Sequence, residues 1–139
     1  MIGRSELELR ITIYDLEMDK HELKERFKRY AINVAFFVLK LPYNIVNKNY
    51  SDQLHRSASG AAANYRAALR AKSTADFLNK LKIVEEELDE TLFFFELIEA
   101  INPFFNKDIK PLAAEGSELL AITVSAIVTL RNRQAVKKS

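Results

Sequence analysis

Apolar residues recur three or four positions apart along four stretches of the chain, which predicts four amphipathic helices. The first runs from Lys20 to Leu41, with Asp19 suited to the N-cap and Glu22 completing a capping box. Its stripe is Phe27, Ala31, Val34, Val38 and Leu41, widened by Tyr30 and Phe37, and Pro42 ends it. Asn44, Asn47 and Asn49 read as a polar connection, after which Ser51 can cap a second helix reaching about Arg70. Leu54, Ala58, Ala61, Tyr65 and Leu69 form its inner stripe. Its middle, SASGAAAN, is nearly all small and so admits a neighbouring helix closely.

Ser73-Thr74-Ala75-Asp76 predicts the start of the third helix. Phe77, Leu81, Val84, Leu88, Leu92, Phe95 and Ile98 make a sustained seam, closed by Asn102-Pro103. Phe93 and Phe94 fall outside it and predict a second contact, with the fourth helix or another subunit. The fourth helix is expected from Asp108, with Pro111 in its first turn. Leu112, Leu119, Ile122, Ala126 and Leu130 form one stripe, and Leu120, Val124, Ile127 and Val128 a second. A helix apolar around most of its circumference must be covered on more than one side, which predicts an oligomer. Ahead of these helices, Leu7, Leu9, Ile11 and Ile13 alternate with polar residues, the period of a strand pairing with another subunit or of an ordered arm. The expected organisation is an arm (1–19), a four-helix domain (20–135) and a basic tail (136–139). The fold class is all-α, an antiparallel up-down-up-down bundle.

Composition agrees: 139 residues at 48% hydrophobic supply one core, and 3 Gly with 3 Pro favour helices. Without Cys there is no disulfide framework or thiolate metal site. The opening residues have no signal-peptide pattern, and the nearly apolar run Leu119–Leu130 falls short of the roughly 20 residues of a membrane span. The expectation is a soluble cytoplasmic protein that does not enter membranes. Net charge is only +2, but it is unevenly placed. From Ser51 to Lys82, six cations face Asp52 and Asp76; from Ile83 to Ile101 every charge is acidic. Such polarity suits either surfaces that meet within or between subunits, or an anion-binding surface.

Catalytic and metal constellations are weak. His21-Glu22-Leu23-Lys24-Glu25 begins like the HExxH zinc helix but lacks the second His. Asp52 and His55 form one carboxylate-x-x-His pair where a di-metal bundle needs two. Glu85, Glu86, Glu87, Asp89 and Glu90 spread around their helix instead of forming a dyad. No catalytic residue, metal ligand or cofactor site is expected, and the chain reads as a non-enzyme. The candidate nucleic-acid-binding residues are Arg66, Arg70, Lys72 and Lys80. Arg66 and Arg70 share a helix face, and antiparallel packing sets them near Lys72 and the next helix. Arg56 is expected to pair with Glu87 or Glu90 as a structural group, and Tyr65 to serve in the core or at an interface.

Several motifs in fixed order resemble one family. They are Leu41-Pro42, Gln53-Leu54-His55-Arg56-Ser57-Ala58, Ala63-Asn64-Tyr65-Arg66, Ser73 with Asp76-Phe77, Lys80-Leu81, Glu87, Glu90-Thr91 and Phe93-Phe94-Phe95. Together they resemble the bacterial four-helix bundle proteins encoded in intervening sequences of 23S ribosomal RNA genes, over roughly residues 27 to 130. Ala67 stands where that family commonly has an acid, Glu86 where it has a base, and Phe94 where it has Trp. The first two alter any transferred charge surface. The resemblance implies a ring-like homopentamer of antiparallel four-helix subunits. Related accessory variability proteins of diversity-generating retroelements imply a role in binding RNA, DNA or a nucleic-acid-processing partner. The alternative is a structural or protein-interaction module that binds no nucleic acid.

Overall fold

The computed structural model describes residues 20–138. The expected strand or arm before them, and Asp19 as a cap, lie outside the described residues. Four helices follow: α1 (Lys20–Lys40), α2 (Ile45–Ala68), α3 (Thr74–Ile101) and α4 (Asn106–Lys138). A single 3-10 turn, Pro103–Phe105, leads into α4. Contacts run between consecutive helices and are densest between α2 and α3, while α1 and α4 close the bundle more loosely. With connections this short, the pattern is that of an up-down-up-down bundle.

Helix boundaries follow the sequence where the signal is local and depart from it where the signal is distant. Ser73 caps α3 as expected, its hydroxyl accepting the Asp76 backbone N–H at 3.1 Å. At α2 the expectation is corrected. The helix begins at Ile45, and Asn44 caps it by accepting the Asn47 N–H at 2.8 Å. Ser51 is therefore a buried residue inside the helix, not its cap. Asn47 is buried too. Its side-chain amide donates to the Pro42 carbonyl at 3.0 Å and to Asn102 Oδ1 at 2.9 Å, and Asn102 Nδ2 donates back at 2.8 Å. This reciprocal pair locks the start of α2 to the end of α3. Two buried amides each satisfy the other, so the desolvation cost of burying them is offset. Likewise α4 starts at Asn106, ahead of Asp108, because the 3-10 turn already sets the helical direction; Pro111 sits one turn further in than expected. The helix continues to Lys138, so residues 136–138 carry on from the bundle.

The core is the apolar stripes turned inward. Phe27, Tyr30, Val34 and Phe37 of α1 are buried, so Tyr30 and Phe37 lie at the centre of the stripe and not on its flank. Leu54, Ala58, Ala61 and Tyr65 of α2 meet Leu81, Val84, Leu88, Phe95 and Ile98 of α3. Tyr65 is a core residue, stacked on Phe27 at 4.7 Å. Phe94 finds its contact on α2, at 6.1 Å from the Tyr50 ring, instead of on α4; Phe93 leans on Phe94 and stays half exposed. The helical segment Pro103–Lys137 is long and apolar enough, by length and composition, to cross a membrane. In the bundle its Leu119, Ile127 and Leu130 are buried against the other helices.

Between α1 and α4 the seam depends on polar groups. Arg26 donates to both oxygens of Glu115, at 2.8 and 2.7 Å, and reaches Glu118 at 3.0 Å. Those hydrogen bonds to Glu115 push the Arg26 pKa up, so the guanidinium stays charged. Beneath this clamp, Gly116 makes room for Tyr30: a Cβ there would lie 2.5 Å from the Tyr30 hydroxyl. At Gly60 a Cβ would meet only the carboxylate end of Glu87, at 2.9 Å.

Two glycines should thus respond oppositely to alanine in denaturant titrations. Gly116→Ala should destabilise by about 1–3 kcal/mol, because a rigid buried phenol cannot give way. Gly60→Ala should be neutral or stabilise by up to ~1 kcal/mol, because the Glu87 side chain can swing and Ala favours the helix. Burial also raises the pKa of both Tyr30 and Tyr65, and neither hydroxyl has a hydrogen-bond partner among the described residues. A folded pKa above the unfolded value of about 10 means the associated stability is complete below that pH and lost above it. Alkaline unfolding should therefore coincide with late ionisation of these two phenols, read by phenolate absorbance alongside circular dichroism. Tyr30→Phe or Tyr65→Phe should shift the transition to higher pH.

Candidate nucleic-acid interface

The end of the bundle where α1 and α3 start and α2 and α4 finish collects cations. A groove of about 320 Å³ opens there, lined by Lys20, Ala68, Leu69, Ala71, Lys72, Ser73, Thr74, Phe77, Leu130 and Arg133. A second depression of about 330 Å³ adjoins it, sharing Thr74, Leu130 and Arg133 and adding Gln134 and Lys137. Its floor is apolar and its rim basic. The Lys20 ammonium lies 5.8 Å from the Phe77 ring centroid, within cation–π range. The Asp76 carboxylate accepts the Lys72 backbone N–H at 3.4 Å. From Leu119 to Lys138, α4 carries Arg131, Arg133, Lys137 and Lys138 and no acid.

Of the four residues singled out in the sequence, Lys72 lines the groove. The second helix stops at Ala68, short of the expected Arg70, so Arg66 is exposed in its last turn and Arg70 in the turn that follows; both stand outside the groove. Lys80 is half buried, well into α3, and also outside it. None of the four forms an ion pair with another described residue. Lys20 and Arg133 were missed, although antiparallel topology alone brings the first residue of α1 and the last turns of α4 to this end. Along the chain these two are distant from the Arg66–Lys82 cluster of cations.

Other candidates take structural places. Arg56 pairs with Glu90, which raises its pKa, and with Glu87 at 3.4 Å, tying α2 to α3 as expected. Asn64 donates to the Gly60 carbonyl at 2.8 Å and is thereby engaged within α2. Asp52 pairs with Lys48 at 3.0 Å, while His55 is exposed. Among the described residues no three His, Asp or Glu side chains gather as a metal site. A cleft of about 450 Å³ between α1 and α4 mixes Glu22, Arg26, Arg29 and Glu115, and its Arg26 is already held by Glu115 and Glu118.

The contrast between paired and unpaired arginines can be measured. Because the Arg56 pairs are half exposed, Arg56→Ala should cost no more than about 1 kcal/mol in thermal or chemical unfolding. It should leave any polyanion affinity of the basic end unchanged, whereas a change at Arg70 should do the reverse.

No protein-family model matches the chain, and no curated protein matches it. Among solved structures, a protein of unknown function from the S23 ribosomal protein family of Bacteroides thetaiotaomicron matches with a TM-score of 0.69. The two sequences are 26% identical, and the match covers 79% of this chain and 98% of the other. In both fold and sequence, then, the chain is similar to a four-helix protein of the S23 ribosomal protein family, as the order of its motifs indicates.

Proposed function

We propose that this chain is a non-enzymatic, oligomeric helical-bundle protein whose basic end binds RNA, DNA or a nucleic-acid-processing partner. The observation carrying this reading is the convergence of Lys20, Lys72 and Arg133 on one groove, with Arg66 and Arg70 exposed beside it. Lys20 starts α1, Lys72 lies in the connection between α2 and α3, and Arg133 is in the last turns of α4, so the fold and not one basic stretch makes the surface. Phosphate attraction grows with the number of charges neutralised. In a homopentamer, which the family resemblance implies, each modest cation set would be repeated five times. The family name of the similar structure is consistent with an RNA setting.

A second reading, a structural or protein-interaction module without nucleic-acid binding, is favoured by the opposite end. There Tyr43, Ile45, Ile101 and Phe104 are exposed apolar side chains, an arrangement suited to protein contact.

Fluorescence anisotropy with single- and double-stranded RNA and DNA, across a salt series, separates the two. Binding through the basic end should weaken steeply as salt rises, and the Arg70→Glu, Lys72→Glu double variant should lose affinity on the order of tenfold or more. No binding, or binding that the double variant leaves unchanged, would exclude this surface and favour the interaction module.

A further inference from the structure

A solvated bundle normally turns charged residues outward. Parts of α1 and α4 do the opposite. On α1, Ile32, Phe36 and Leu39 are spaced four and three apart and are 45%, 60% and 80% exposed; Tyr43, just past the helix, is 83% exposed. They lie opposite the buried Tyr30, Val34 and Phe37 and so make one outward stripe of bulky apolar groups. On α4, Ala114, Ser117, Ala121, Val124 and Val128 recur three or four apart and are all exposed, an outward stripe of uncharged groups, small from Ala114 to Ala121 and ending in two valines. Glu118, on its flank, is engaged by Arg26. At 1.5 Å per residue, the helical part of the α1 stripe, Ile32 to Leu39, extends roughly 11 Å and the α4 stripe roughly 21 Å, with Tyr43 continuing the α1 stripe beyond the end of its helix.

We propose that a second copy of this chain covers these faces, with the bulky α1 stripe of one copy packed into the small-residue α4 stripe of the next. The size complement argues for this pairing. Two bulky stripes would hold the helix axes apart, and two small ones would bury little area. A bulky stripe on a small one lets axes approach to the ~8–10 Å of well-packed helices. With aromatics contributing about 150–250 Å² when wholly buried, the four exposed α1-side groups offer on the order of 500 Å². That is most of the roughly 800 Å² each partner supplies in an interface of standard size. Since each copy carries one face of each kind, the contact is head-to-tail and propagates until it closes on itself. This assignment rests on the assembly part of the function proposed above and adds which faces meet.

The test uses two variants that each damage one face, Phe36→Arg and Ala121→Arg, in sedimentation equilibrium of the full chain. The wild type should be an oligomer and each variant alone a monomer with an unchanged melting temperature. Mixed in equal amounts, the two should form a one-to-one dimer and nothing larger, because only one intact pair of faces remains between them. If either variant melts early, Leu39→Arg or Val128→Arg takes its place. A wild-type oligomer that persists in either variant, or a mixture that stays monomeric, overturns the face assignment while leaving assembly intact. A monomeric wild type overturns both.

Discussion

The close approach of α2 to α3 is the constraint on which the other contacts depend. The small residues Ser57, Ala58, Gly60 and Ala61 let α2 sit against the bulky seam of α3, and the Ser57 and Thr91 hydroxyls meet across it at 2.8 Å. Arg56 closes the outer edge onto Glu87 and Glu90, and the Asn47–Asn102 pair closes the end. Together these fix register as well as proximity. A slip of one residue would part the Ser57 and Thr91 hydroxyls and leave the side-chain oxygens of Asn47 and Asn102 without each other's amide, at a cost of about 1–3 kcal/mol for each oxygen. The α1 and α4 helices are then laid on this pair, with the Arg26 clamp joining them where apolar packing is thinnest.

That register has a consequence for function. It gathers the starts of α1 and α3 with the finishes of α2 and α4, and those segments carry Lys20, Lys72, Arg70 and Arg133 with few acids. The opposite end receives Tyr43, Ile101 and Phe104. Of the acids concentrated in α3, Glu87 and Glu90 are taken up by Arg56. A near-neutral chain thereby becomes a particle with chemically distinct ends.

Much of this was legible in the residues. Ser73 and its Asp76 partner are three positions apart, so the α3 cap was readable locally, and the seam from Leu81 to Ile98 follows from spacing alone. The start of α2 was not readable, because what makes Asn47 a buried helix residue is Asn102, 55 positions away. Nor was the Arg26 clamp, since its carboxylates lie on α4 and nothing within α1 distinguishes Arg26 from Arg29. At the basic end, Lys72 was found because it neighbours the Arg66–Arg70 face in sequence. Lys20 and Arg133 join it only once the helices are folded beside each other.

The central claim is that polyanions engage one end of this bundle. Lysine acetylation with mass-spectrometric readout, with and without bound RNA, addresses it residue by residue. The account predicts protection of Lys20, Lys72 and Lys137, with Lys48, Lys107 and Lys110 at the far end reacting as freely as before. Protection centred on those far-end lysines, or no protection anywhere, would contradict it.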